Sequence, residues 1–166
     1  MMKAIAGAAA VGILWGGGTA TAGPAFDISG AWAGAGYVQK DDASRPMDVR
    51  CEIEGARNDD VIGFDGECRA MLIVRRAIGA NLVFDGERFR GSYTGSRAGL
   101  AELDGAETPE RDRVVLTMRF PRMVNGDDVA VMTIHLHDEH TFTIETVDRM
   151  QSGTELTTAL IRFERK

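Results

Sequence analysis

The chain has 166 residues, 25 of them acidic against 19 basic, for a formal charge of −6. An acidic balance of this size argues against DNA, RNA or an anionic lipid surface as partner, since each needs clustered Lys and Arg to neutralise phosphate. The length suffices for one domain with a real core and not for two.

Lys3 is the only charge before Asp27, and Ala4 to Leu14 is apolar or glycine, the arrangement of a secretory signal peptide. A spanning helix wants about 20 apolar residues, and Gly16, Gly17 and Gly18 interrupt this run early. Ala20-Thr21-Ala22 then forms an A-x-A cleavage site, so residues 1–22 are expected to be a signal peptide removed after Ala22. No cysteine lies nearby for lipid attachment. Removing 22 of the 166 residues leaves 144, with no transmembrane segment and, once Lys3 is gone, a charge of −7. The product, a single domain over residues 23–166, is expected to be periplasmic or secreted. In an oxidising compartment the two cysteines, Cys51 and Cys68, are expected to form a disulfide. Two buried free thiols, or a zinc site with further ligands, are the alternatives.

From Ile28 onward apolar and polar residues alternate in short runs separated by turn signals, the two-residue period of half-buried strands. Those signals are Asn58-Asp59-Asp60, Asp85-Gly86, Asn125-Gly126 and Asp138-Glu139-His140. Folding the chain about Asp59 and Asp60 sets Cys51 opposite Cys68, Ile53 opposite Gly66 and Gly55 opposite Phe64, so the turn and the cysteines agree on one register. Folding about Asp85-Gly86 sets Leu82 opposite Phe89, with Arg88 and Arg90 on the other face. The stretch from Arg97 to Leu103 is expected to hold a short helical turn inside a long loop reaching Pro109. Val114, Leu116, Met118 and Phe120 share one face of a strand that Pro121 is expected to end. A three-residue loop at 138–140 sets Met132, Ile134 and Leu136 against Phe142 and Ile144, and a last strand covers roughly Glu155 to Glu164. The sum is an all-β fold, an antiparallel up-and-down barrel of about eight or nine strands with one cross-strand disulfide.

Gly30-Ala31-Trp32 resembles the G-x-W signature on the first strand of the calycin (lipocalin and avidin) barrels, and Asp85-Gly86 and Gly91-Ser92-Tyr93 resemble further avidin-like strands. The resemblance implies that an arginine from the last strand, Arg162 or Arg165, packs on Trp32. Trp32-Ala33-Gly34-Ala35-Gly36 is similar to the W-x-G-x-G opening of exported barrel proteins of Gram-negative bacteria, a resemblance that implies no activity. The start of the domain and its cysteine pair also resemble, more loosely, periplasmic inhibitors of secreted metalloproteases. The Gly23 to Asp27 arm is short for reaching into a protease cleft.

Three candidate sites follow. A barrel of this size can hold one small apolar ligand, lined by Trp32, Phe64, Leu82, Phe84, Phe89, Tyr93, Leu116, Met118, Ile134 and Phe142, although the same side chains could simply fill the interior. His135 and His137 project from one face of a strand, and with His140, Asp138 or Glu139 they could bind zinc or copper. The alternative is that they lie on the solvated face with Thr133, Thr141, Thr143 and Glu145. A protein partner, as for an inhibitor, would use an exposed arm or the stretch from Thr94 to Pro109. Catalysis is not expected: Gly91-Ser92-Tyr93-Thr94-Gly95 is not a nucleophile elbow, the paired acids are turn residues, and there is no C-x-x-C. The expectation is a non-catalytic, exported module with no cofactor that binds a small apolar ligand or is associated with the cell envelope.

Overall fold

The computed structural model describes residues 23–71 and 73–166; the expected signal peptide lies outside the described residues. Ten strands follow one another: β1 (Gly30–Val38), β2 (Met47–Asn58), β3 (Val61–Ala70), β4 (Val74–Phe84), β5 (Phe89–Thr94), β6 (Ala101–Glu107), β7 (Arg113–Val124), β8 (Asp127–Asp138), β9 (Thr141–Arg149) and β10 (Glu155–Arg165). Each pairs antiparallel with its neighbours in sequence, and β1 also pairs with β10, which closes the sheet into a barrel. Full closure removes the exposed edges that an open sheet would present.

Alternation decides what faces inward. Val49, Cys51 and Ile53 on β2 are buried while Asp48, Arg50, Glu52 and Glu54 are exposed; Val114, Leu116, Met118 and Phe120 do the same on β7. Cys51 and Cys68 are directly opposed and joined by a disulfide, with Ile53 opposite Gly66 and Gly55 opposite Phe64. The two-residue connection Asp59-Asp60 places Asp59 at φ 52°. The β8–β9 register also matches the sequence reading, with Leu136 opposite Phe142 and Ile134 opposite Ile144.

Three expectations need correction. There are ten strands rather than eight or nine, because the region read as a helical turn and long loop contains β6, whose Ala101 and Leu103 point inward. The β4–β5 hairpin pairs Phe84 with Phe89, and Leu82 with Gly91. Its loop is lengthened because the Asp85 carboxylate accepts the backbone N–H groups of Glu87 and Arg88, at 3.1 and 2.8 Å. The slip is two residues, so every side chain keeps its face. Finally, Pro121 does not end β7: the strand runs on to Val124, and the proline sits where pairing with β8 becomes irregular between Arg119 and Val124, a place where its missing N–H costs no ladder bond.

The W-x-G-x-G strand has a steric reason. A Cβ at Gly36 would overlap the Leu160 carbonyl oxygen, so only glycine lets β1 lie this close to β10. Gly55 plays the same part for the arm before β1, since a Cβ there would overlap the carbonyl oxygen of Ile28.

Candidate functional site

The two ends of the barrel differ. At one end, where β1 starts and β10 finishes, the interior is full. Trp32 is buried, donates its indole N–H to the Ile28 carbonyl at 2.8 Å, and meets Phe142 edge-on at 4.8 Å between ring centroids. Phe142 stacks in turn on Phe163, also at 4.8 Å. Of the two arginines considered, it is Arg165 whose guanidinium covers the Trp32 ring, 4.3 Å from its centroid. Arg165 also donates to the backbone oxygens of Ser29 and Glu139, at 2.8 and 3.0 Å. The arm before β1 plugs this end: Phe26 and Ile28 are buried, Phe26 meets Phe89 edge-on, and the Phe26 N–H donates to Glu107 at 2.9 Å. Arg111 bonds both Glu107 and the Gly23 carbonyl.

At the other end the barrel is open and holds a cavity of about 530 Å³. Phe64, Met118 and Phe163 line it, together with Val49, Ile78, Ala130, Ile144 and Ile161. The disulfide lies at this level too, with Cys68 in the cavity wall. Lys40, Arg45, Arg76 and Arg97 stand around the mouth. The volume falls within the roughly 300–1,000 Å³ of pockets that take small molecules.

Two polar groups stand in the apolar wall. Tyr93 lines the cavity against Gly95, and burial pushes its phenol up to about 12. Asp148, on the inward face of β9, is only 4% exposed. One of its oxygens accepts from the Asn125 side-chain amide at 2.7 Å, whereas the other, Oδ1, is buried without a hydrogen-bond partner. Burial raises the Asp148 carboxyl above the ordinary aspartate range, against the lowering effect of the Asn125 hydrogen bond. Asn125 sits in the Asn-Gly turn of the β7–β8 hairpin at φ 58° and also donates to the Lys40 carbonyl at 3.2 Å, joining three elements at the mouth. A buried, half-satisfied carboxyl costs stability, and this one belongs to a residue that borders the cavity.

The proposed lining residues therefore divide. Phe64, Tyr93 and Met118 border the cavity, but Trp32, Phe84, Phe89 and Phe142 do not: Trp32, Phe89 and Phe142 are fully buried, and Phe84 packs beside Phe89. Leu82, Leu116 and Ile134 also belong to the filled interior. Residues that the sequence reading passed over, chiefly Asp148, Asn125, Arg76 and Arg97, border the cavity instead. A signal existed for Asp148, because Phe142-Ile144-Thr146-Asp148 is one inward-facing row that turns polar towards its end.

The histidines sit on the outer face, away from the cavity. The His135 and His137 rings lie 4.2 Å apart, but His135 approaches Asp112 at 3.3 Å, His137 bonds the Thr143 hydroxyl at 2.7 Å, and His140 turns to Glu139 at 3.2 Å. Desolvation, then the neighbouring His135 and Arg162, hold His137 below the ordinary histidine range. Among the described residues no group of three or more His, Cys, Asp or Glu side chains is placed to hold a metal ion.

No protein-family model matches this chain, and no curated protein matches it. Solved structures do. Rv2717c from M. tuberculosis superposes with a TM-score of 0.65 at 12% identity, over 83% of this chain and 92% of that one. The S-type phycobiliprotein lyase CPES from Guillardia theta superposes with a TM-score of 0.56 at 15% identity, over 83% and 88%. At these identities the likeness concerns the fold, and with the closed antiparallel barrel it fits a calycin-like architecture.

Proposed function

We propose that this protein is an exported, non-catalytic carrier that holds one small, mainly apolar molecule in the open half of its barrel. The observation that carries the reading is the cavity of about 530 Å³, lined by apolar side chains with Asp148 among the residues that border it. An apolar body would bury its surface against Phe64, Met118 and Phe163 at roughly 25 cal/mol per Å², and a hydroxyl or N–H on it would lie beside Asp148. An acidic end would remain at the mouth beside Arg76 and Arg97. The phycobiliprotein lyase among the structural neighbours is compatible with this reading as far as the fold goes. Of the two segments the inhibitor alternative would use, the arm is plugged into the closed end and the stretch from Thr94 to Pro109 is partly taken up by β6. Export and a periplasmic or secreted location follow from the sequence of residues 1–22.

The test is a titration of the mature protein with 1-anilinonaphthalene-8-sulfonate, an apolar ring system carrying one acid, alongside native mass spectrometry of protein purified from its own periplasm. Saturable fluorescence at one site, weakened at least tenfold by Ala130→Phe, is the expected result. A probe that does not bind, or whose binding ignores Ala130→Phe, would reject the cavity as the site.

A further inference from the structure

The large apolar side chains left in solvent are not scattered evenly. Among the described residues the four most exposed are Ile73 (85%), Met123 (71%), Met71 (68%) and Leu100 (64%), and all four belong to segments at the open end: the β3–β4 connection, the β5–β6 loop and the end of β7. These segments hold one another. Arg76 donates weakly to the carbonyls of Gly95 and Ser96, at 3.5 and 3.4 Å, Arg122 donates to the carbonyl of Arg97, and Gly99 lies against Pro121. They therefore form one connected half of the rim.

The charge on that half-rim opposes the charge of the protein. Residues 71–76, 95–100 and 120–124 contain Arg75, Arg76, Arg97 and Arg122 and no Asp or Glu. Glu67, the carboxylate closest to Arg75, lies between two arginines, 2.8 Å from Arg69 and 3.8 Å from Arg75. Across the mouth, the 39–46 and 150–155 segments mix Lys40 and Arg45 with Asp41, Asp42 and Glu155. The overall charge of −6 argues against an anionic surface as partner, but at physiological ionic strength charges act over about 8 Å, so the local arginines decide what this half-rim meets.

We infer that the apolar, arginine-bearing half of the rim docks on an anionic lipid bilayer, with Met71, Ile73, Leu100 and Met123 entering the headgroup layer and the cavity mouth brought against the membrane. Apolar tips flanked by arginine are the chemistry that an anionic interface recognises. An acidic protein surface would also be matched by the arginines, and it is the partner that a lack of flotation at low salt would favour. The surface stands apart from the ligand reading, because Met71, Ile73, Arg75, Leu100, Arg122 and Met123 do not border the cavity.

The experiment is vesicle flotation of the mature protein with large unilamellar vesicles of phosphatidylglycerol and phosphatidylethanolamine, against vesicles of phosphatidylcholine alone. Wild type should float with the anionic vesicles, less so at high salt, and not with the neutral ones. Arg75→Glu/Arg122→Glu should lower partition at least about 30-fold, since each basic residue near an anionic surface contributes roughly fivefold. Ile73→Asp/Leu100→Asp should abolish flotation. Ile73→Asp/Leu100→Asp changes exposed side chains that make none of the rim's hydrogen bonds and should keep the wild-type melting temperature and naphthalene-sulfonate affinity, which separates this result from the carrier reading. Equal flotation on neutral vesicles, no flotation at low salt, or a dimer in solution that Ile73→Asp disperses would each overturn the inference; the last would assign the surface to a second copy.

Discussion

The closed and open ends of this barrel are built from the same ten strands and the same alternation, yet one is packed solid and the other is hollow. At the closed end the inward residues are aromatic and branched, the arm adds Phe26 and Ile28, and Arg165 covers Trp32. At the open end the inward row includes Ala70, Ala130 and Ala159, and among the described residues no segment folds over the mouth to fill the space they leave. The lesson is that a barrel need not choose between being filled and being a container: stability can be concentrated at one end and capacity at the other.

That division predicts where mutations hurt. The largest effect belongs to Trp32→Ala, which removes an indole buried among Phe142, Ile28 and Arg165 and should cost about 3–5 kcal/mol, measured by urea unfolding. A cost below about 1 kcal/mol would mean that the closed end is not the stabilising half. Next comes the disulfide, whose 17-residue separation corresponds to about 3 kcal/mol of loop-closure entropy. Cys51→Ala/Cys68→Ala should lose about that much while remaining a barrel by circular dichroism. Because the bridge spans β2 and β3 at cavity level, it supports the half with less packing.

A sharper comparison adds the same volume at each end. Val114 is fully buried towards the closed end, and Val114→Phe should cost about 1–3 kcal/mol through overpacking. Ala130 borders the cavity, so Ala130→Phe should cost less than about 1 kcal/mol, its ring occupying space that is already empty. Equal costs in paired denaturation curves would erase the distinction between the ends.

Much of this architecture was legible before any coordinates. The β2–β3 register followed from two cysteines and a turn that agree, and β8–β9 from matching apolar rows about Asp138 to His140. Trp32 under a last-strand arginine followed from the G-x-W resemblance. β6 was missed although Ala101-Glu102-Leu103-Asp104-Gly105 alternates apolar and acidic residues, because Arg97 to Leu103 reads as a helical turn and the short strand has only Leu103 as a large inward side chain. The β4–β5 slip came from Asp85 capping its own loop, a contact between side chain and backbone that Asp-Gly alone does not announce. The site was the least legible part. Alternation tells which face of a strand is buried but not which end of it is filled, so Trp32, Phe89 and Phe142 read as equal candidates with Phe64 and Tyr93. The end that carries the arm settles the difference, and nothing in the pattern of residues 23–29 marks Phe26 and Ile28 as a plug.

The smallest expected effect is the one that bears most directly on the cavity. Burial raises the folded-state pKa of Asp148 above its unfolded value, so between those two values the folded protein binds more protons than the unfolded chain. Stability at this site is therefore greatest below the unfolded aspartate pKa and falls as pH rises through the folded one. The ionised carboxyl is penalised by burial, and the Asn125 amide and the Arg149 backbone N–H offset only part of that penalty. Asp148→Asn keeps an acceptor for Asn125 and removes the charge. The variant should be more stable than wild type at pH 7, and its advantage should shrink as the pH is lowered towards 4, followed by urea unfolding at each pH. It should also change the affinity for a ligand that donates to Oδ1 while leaving one that lacks a donor untouched. A variant less stable than wild type at pH 7 would mean that the ionised carboxyl is satisfied in the folded protein, and the polar point in the cavity wall would have to be sought at Tyr93 instead.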